Sequence, residues 1–109
     1  MADSKSEIQR LLEIIPFGKE NAMHAEDIAV SMGYPVGGNQ VETRQLIRSA
    51  IQQGNIILST PKDGYWRSET KQEVEDYINS LQNRAAEIIT RSTEIKNAWN
   101  RVKPDNLIL

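Results

Sequence analysis

The residues with the most chemistry to offer stand together near the middle of the chain. Gly38, Asn39, Gln40, Thr43 and Arg44 bring backbone, carboxamide, hydroxyl and guanidinium groups into one short stretch. These are the groups that read base edges: a carboxamide suits adenine, a guanidinium suits guanine, and a hydroxyl serves either. Arg48 follows one helical turn after Arg44, where it can reach a phosphate. Lys62, within the turn Pro61-Lys62-Asp63-Gly64, and Arg67, three residues after it, are the remaining candidates for phosphate contact. Glu42 is the lone acid among them.

Other chemistry is poorly provided for. His24 is the only histidine, so neither a triad nor a His-based metal site has partners. The chain has no cysteine, which removes thiol nucleophiles, thiolate metal sites and disulfides, and suits a reducing cytoplasm. Glu26-Asp27 and the group Glu73, Glu75, Asp76 read as acids at the positive ends of helix dipoles. Gly33, Gly37 and Gly38 make no phosphate loop, because no Gly-Lys-Ser/Thr follows them. The expectation is a protein without catalysis, without cofactor or metal, and with no evident small-molecule substrate.

The elements that must position these residues can be read from hydrophobic spacing. Ile8, Leu11, Leu12 and Ile15 form an apolar stripe, so a first helix is predicted over Glu7 to Ile15, capped by Ser6 and stopped by Pro16 and Gly18. Asn21 to Met23 is expected to be a short extended piece. Ala25, Ile28, Ala29 and Met32 predict a second helix, with Gly33 as its C-terminal glycine and His24 as an imperfect cap. After a Pro- and Gly-rich turn, Asn39 is expected to cap a third helix over Gln40 to Gln53, with Val41, Leu46, Ile47, Ala50 and Ile51 as its stripe.

Asn55 to Thr60 reads as a strand, with Ile56 and Leu58 on one face and Ile57 on the other. The Pro-Lys-Asp-Gly turn then returns the chain through Tyr65, Trp66 and Arg67, completing a hairpin. One of the two aromatics is expected to face the core. Thr70 with Glu73 reads as a capping box opening a long last helix. Val74, Ile78, Leu81, Ala85, Ile88, Ser92, Ile95, Trp99 and Val102 then alternate spacings of four and three without Gly or Pro before Pro104. That is a heptad seam of about four heptads, on a helix of roughly 45 Å.

At 109 residues the chain has room for one modest core. The organisation expected is a domain over residues 1–68, a long helix over 69–103 and a tail over 104–109. No apolar run is long enough to span a membrane, and the polar start, Met1 to Ser6, lacks the apolar core of a signal peptide. A cytoplasmic protein is expected. The formal net charge of −2 argues against strong non-specific nucleic-acid binding, though a local patch outweighs the sum.

Three short helices followed by a hairpin is the order of a winged helix-turn-helix. The run from Ile47 to Gly54, then Asn55-Ile56-Ile57, then Gly64-Tyr65-Trp66, resembles the winged-helix domains of bacterial and phage regulators. The segment Asp27-Ile28-Ala29 through Met32-Gly33-Tyr34 is similar to that family's first helix-turn-helix helix. The resemblance covers about residues 7 to 68. It implies a mostly α fold with a small β-hairpin, a third helix that enters the major groove, and a transcription-regulating or DNA-transaction role of phage or prophage type in a bacterial cell. By this reading Asn39, Gln40, Thr43 and Arg44 contact bases, and Arg48, Lys62 and Arg67 contact phosphates of duplex DNA. Wings that grip DNA usually carry several cations, and this one has two. A winged-helix adaptor that binds a protein is therefore the alternative. The seam through Leu81, Ala85, Ile88, Ser92, Ile95, Trp99 and Val102 is expected to form a coiled-coil homodimer, or else to fold back on its own domain.

Overall fold

The computed structural model describes residues 6–109: four α-helices and one two-stranded antiparallel sheet. It divides into two compact units, one ending at Thr70 and the other comprising Lys71–Leu109.

The first unit begins with α1, Glu7–Ile14. Ser6 closes a capping box, its hydroxyl accepting from Gln9 N at 3.1 Å while Gln9 Oε1 accepts from Ser6 N at 2.9 Å. The helix ends as Ile15 turns extended before Pro16, the conformation a following proline enforces. Of the expected extended piece Asn21 to Met23, Asn21 instead ends a single 3₁₀ turn, Lys19–Asn21, while Ala22 has an open backbone (φ −53°, ψ 147°) and Met23 bridges to the sheet. Helix α2, Ala25–Met32, buries all four residues of its predicted stripe. Gly33, at φ 75°, closes it: Gly33 N donates to Val30 O and Tyr34 N to Ala29 O, two carbonyls the helix itself leaves open. Two side chains tie α1 to this end. Arg10 Nη2 donates to Met32 O at 2.9 Å, and the Tyr34 hydroxyl donates to the Glu7 carboxylate.

Helix α3, Val41–Gln52, starts later than expected and without its expected cap. Gly37, Gly38, Asn39 and Gln40 all have positive φ, so the chain spirals through a left-handed 3₁₀ turn before α3. An N-cap needs extended backbone; Asn39 at φ 63° is left-handed and its side chain caps nothing.

Strands β1, Ile57–Thr60, and β2, Gly64–Arg67, pair with Leu58 opposite Trp66 and Ser59 opposite Tyr65. The strand is shorter than predicted, and its faces differ from the expected ones. Ile56 is exposed ahead of it, while Ile57 and Leu58 are both buried. Neighbours on a strand point to opposite faces, so the hairpin is covered on both: Ile57 joins the helical core, and Leu58 shares the other face with buried Trp66. Trp66 is thus buried on the face away from the helical core, while Tyr65, partly buried, packs against that core. Met23 adds a third rung, exchanging two backbone hydrogen bonds with Tyr65. That close approach is why position 64 must be glycine. Gly64 has φ 96°, and a Cβ there would overlap the Met23 carbonyl. Leu11, Ile15, Ile28, Met32, Ile47, Ala50 and Ile57 form one core under these elements.

The second unit is α4, Lys71–Val102, 32 residues with no interruption and no buried side chain. After Pro104 the tail turns back along its own helix. Trp99 Nε1 donates to Asn106 O, Lys96 Nζ to Leu109 O, and Asn100 exchanges hydrogen bonds with Ile108. Among the described residues no helix is long and apolar enough to cross a membrane.

Candidate nucleic-acid interface

The head of α3 and the hairpin meet through one side chain. Arg44 Nε donates to Asn39 O at 2.6 Å, and its Nη1 donates to the Tyr65 hydroxyl at 3.0 Å. One guanidinium thus links the left-handed turn, the first turns of α3 and the second strand, while remaining exposed. It keeps further N–H groups for an outside acceptor, because five donors are available and two are used. Tyr65 is the residue that inspection of the sequence undervalued: its ring packs on the core and its hydroxyl holds Arg44. The turn ending at Gly64 and the strand beginning at Tyr65 were visible in the sequence, but the pairing of Tyr65 with a residue 21 positions earlier was not.

Asn39 is exposed and Gln40 half-buried, both on left-handed backbone. Such backbone costs a non-glycine residue on the order of 1 kcal/mol or more, and it concentrates at working surfaces. Arg48 is exposed on α3, one turn past Arg44, and Lys62 is exposed in the hairpin turn. These five residues are available to a ligand.

Two expected contacts are not. Thr43 is completely buried, on the α3 face that also carries Ile47 and Ala50, and its hydroxyl has no hydrogen-bond partner. Three- and four-residue spacing places Thr43 on the core stripe rather than the outer one. It is a packing residue, not a base contact. Arg67 is likewise used internally. Its Nη1 donates to Leu12 O at 3.0 Å, its guanidinium lies 4.3 Å from the Phe17 ring centroid, and its backbone bonds to Pro16 and Gly18. Those contacts stitch the sheet to the end of α1 and take Arg67 away from phosphate. A different cation stands near the hairpin turn: Lys19 Nζ is 3.8 Å from Asp63 and 5.8 Å from the Trp66 ring centroid. Nothing in the local sequence of the 3₁₀ turn signals that approach.

His24 precedes α2 with no side-chain capping bond. Among the described residues no group of three or more His, Cys, Asp or Glu is placed to hold a metal ion.

On α4 the heptad seam lies open. Ile88 is 55% exposed, Ile95 and Val102 are 67% exposed, and Leu81, Ala85, Ser92 and Trp99 are also on the surface. Trp99 is held by its indole N–H to the tail, so it flanks the seam with one edge occupied.

The chain matches no protein family, no curated protein and no solved structure.

Proposed function

We propose that the chain is a non-catalytic winged helix-turn-helix protein that binds duplex DNA sequence-specifically as a homodimer, in a regulatory or DNA-transaction role. The observation that carries this reading is the Arg44 bridge. It fixes a guanidinium at the junction of a helix N-terminus and a hairpin, on a surface that also offers Asn39, Gln40, Arg48 and Lys62. Helix α2, the turn, α3 and the hairpin follow one another in the order that lets a recognition helix enter the major groove while a wing follows the backbone. Arg44, Asn39 and Gln40 read bases; Arg48 and Lys62 meet phosphates. With so few free cations the salt dependence is shallow, because each phosphate neutralised contributes about one unit to its slope. Helix α4 joins two copies through Leu81, Ala85, Ile88, Ser92, Ile95, Trp99 and Val102.

A second reading has its own support. Acids outnumber bases in residues 6–70, Arg67 is engaged internally, and Val36 and Val41 are exposed beside the head of α3. These features favour an adaptor that offers the same surface to a protein. Selection from a random duplex library at low salt separates the two readings. A DNA-binding protein enriches one motif, and Arg44→Ala erases the enrichment. An adaptor returns an unenriched pool.

A further inference from the structure

We infer that α4 pairs antiparallel with α4 of a second copy, in the register that sets Ala85 against Ile95 of that copy. The inference rests on the dimer reading above and adds its geometry.

Residue size along the seam supplies the first argument. Cores pack at near-crystalline density, so a small residue must face a large one. A parallel, in-register pair stacks like on like: Ala85 on Ala85 and Ser92 on Ser92 leave gaps, and Trp99 on Trp99 crowds. The antiparallel register forms the layers Ile78 with Val102, Leu81 with Trp99, Ala85 with Ile95, and Ile88 with Ser92. Each small residue then meets an isoleucine.

Charge supplies the second. Glu73, Glu75 and Asp76 outweigh Lys71 at the start of α4 and make it acidic, while Arg91, Lys96, Arg101 and Lys103 outweigh Glu94 and make its end basic. Only an antiparallel pair lays one against the other. Beside the seam it places Glu75 near Lys103 and Gln82 near Lys96 of the second copy. The parallel pair instead brings Arg91 against Lys96 twice. The antiparallel pair has one such like-charge approach, Arg91 on Arg91, at an exposed edge.

Exposure supplies the third. Ile89 flanks the seam and is 67% exposed. At the antiparallel dyad it meets its own copy, whereas in the parallel pair it sits beside Arg84. The tail occupies one edge of this face, at Lys96, Trp99 and Asn100, and leaves Ile95 and Val102 exposed.

The chain has no cysteine, so introduced thiols report cleanly. Ala85→Cys and Ile95→Cys chains, made distinguishable by mass, are mixed, allowed to exchange and oxidised. A disulfide needs Cα atoms within about 7 Å. The antiparallel register brings position 85 of one chain to 95 of the other, while like positions are offset by about 15 Å along the axis. Mixed 85–95 dimers are expected in large excess, with few 85–85 or 95–95 dimers. Predominantly like-with-like dimers would overturn the orientation. So would an absence of any cross-link while light scattering of the reduced chains gives twice the chain mass. A single chain mass for the unmodified protein would overturn the dimer reading itself, and this inference with it.

Discussion

Residues 6–70 and helix α4 both carry apolar residues at helical spacing, yet they do opposite things with them. In the first unit the stripes of α1, α2 and α3 converge on Leu11, Ile28 and Ile47, each at most 3% exposed. In α4 a longer and more regular stripe buries nothing. The difference lies in length and connection. Short helices joined by tight turns can bring their stripes onto one another within the chain. A 32-residue helix outruns any such partner, and a helix of that length draws most of its stability from packing its apolar face. One pattern therefore builds a core, and the other leaves an exposed apolar face, which the proposed dimer would cover.

The strongest way to break this comparison is to truncate one residue on each side of it. Leu11→Ala should cost about 2–5 kcal/mol in denaturant unfolding, because a fully buried leucine leaves a cavity. Ile88→Asp should leave the unfolding of residues 6–70 unchanged yet reduce the mass seen by light scattering from two chains to one, since an unpaired charge is not tolerated in a buried seam. Equal effects of the two changes on the first unit would erase the distinction.

Gly64→Val should follow, at about 1–3 kcal/mol or more, for a positive φ and for overlap with the Met23 carbonyl. The loss should appear in the thermal midpoint, and an unchanged midpoint would disprove the rung between Met23 and Tyr65. Ser6→Ala should cost about 1 kcal/mol by removing one half of the capping box. Thr43→Val is the smallest change and the most discriminating. Its hydroxyl is buried without a partner, so the isosteric apolar side chain should leave stability unchanged or raise it by up to about 1 kcal/mol. DNA affinity should be unaffected. A loss of affinity with normal stability would return Thr43 to the list of base contacts.

Much of the helical framework was legible in the sequence because it rests on local rules. Ser6, Gly33 and the stripes of α1 and α2 sit where capping and periodicity put them. The errors arise where the backbone path or the packing of the fold overrides local preference. Asn39 looks like a cap, but four successive positive φ angles re-aim the chain before α3. Thr43 looks like a polar surface residue, but the start of α3 is turned so that this position faces the core. Arg67 looks like a wing cation, but the sheet lies close enough to α1 for Leu12 O and the Phe17 ring to claim it. Ile57 and Leu58 break the expected alternation because both faces of the hairpin are covered.

The central claim is that the α3–hairpin surface, organised by Arg44, binds DNA by sequence. Its most direct test is the affinity of wild type and Arg44→Ala for the selected duplex and for a scrambled duplex of equal composition, at several salt concentrations. The account predicts that wild type prefers the selected duplex, that Arg44→Ala loses about 1–3 kcal/mol on it and far less on the scrambled one, and that Lys62→Ala weakens both alike. Equal affinity of wild type for both duplexes, unchanged by Arg44→Ala, would contradict it.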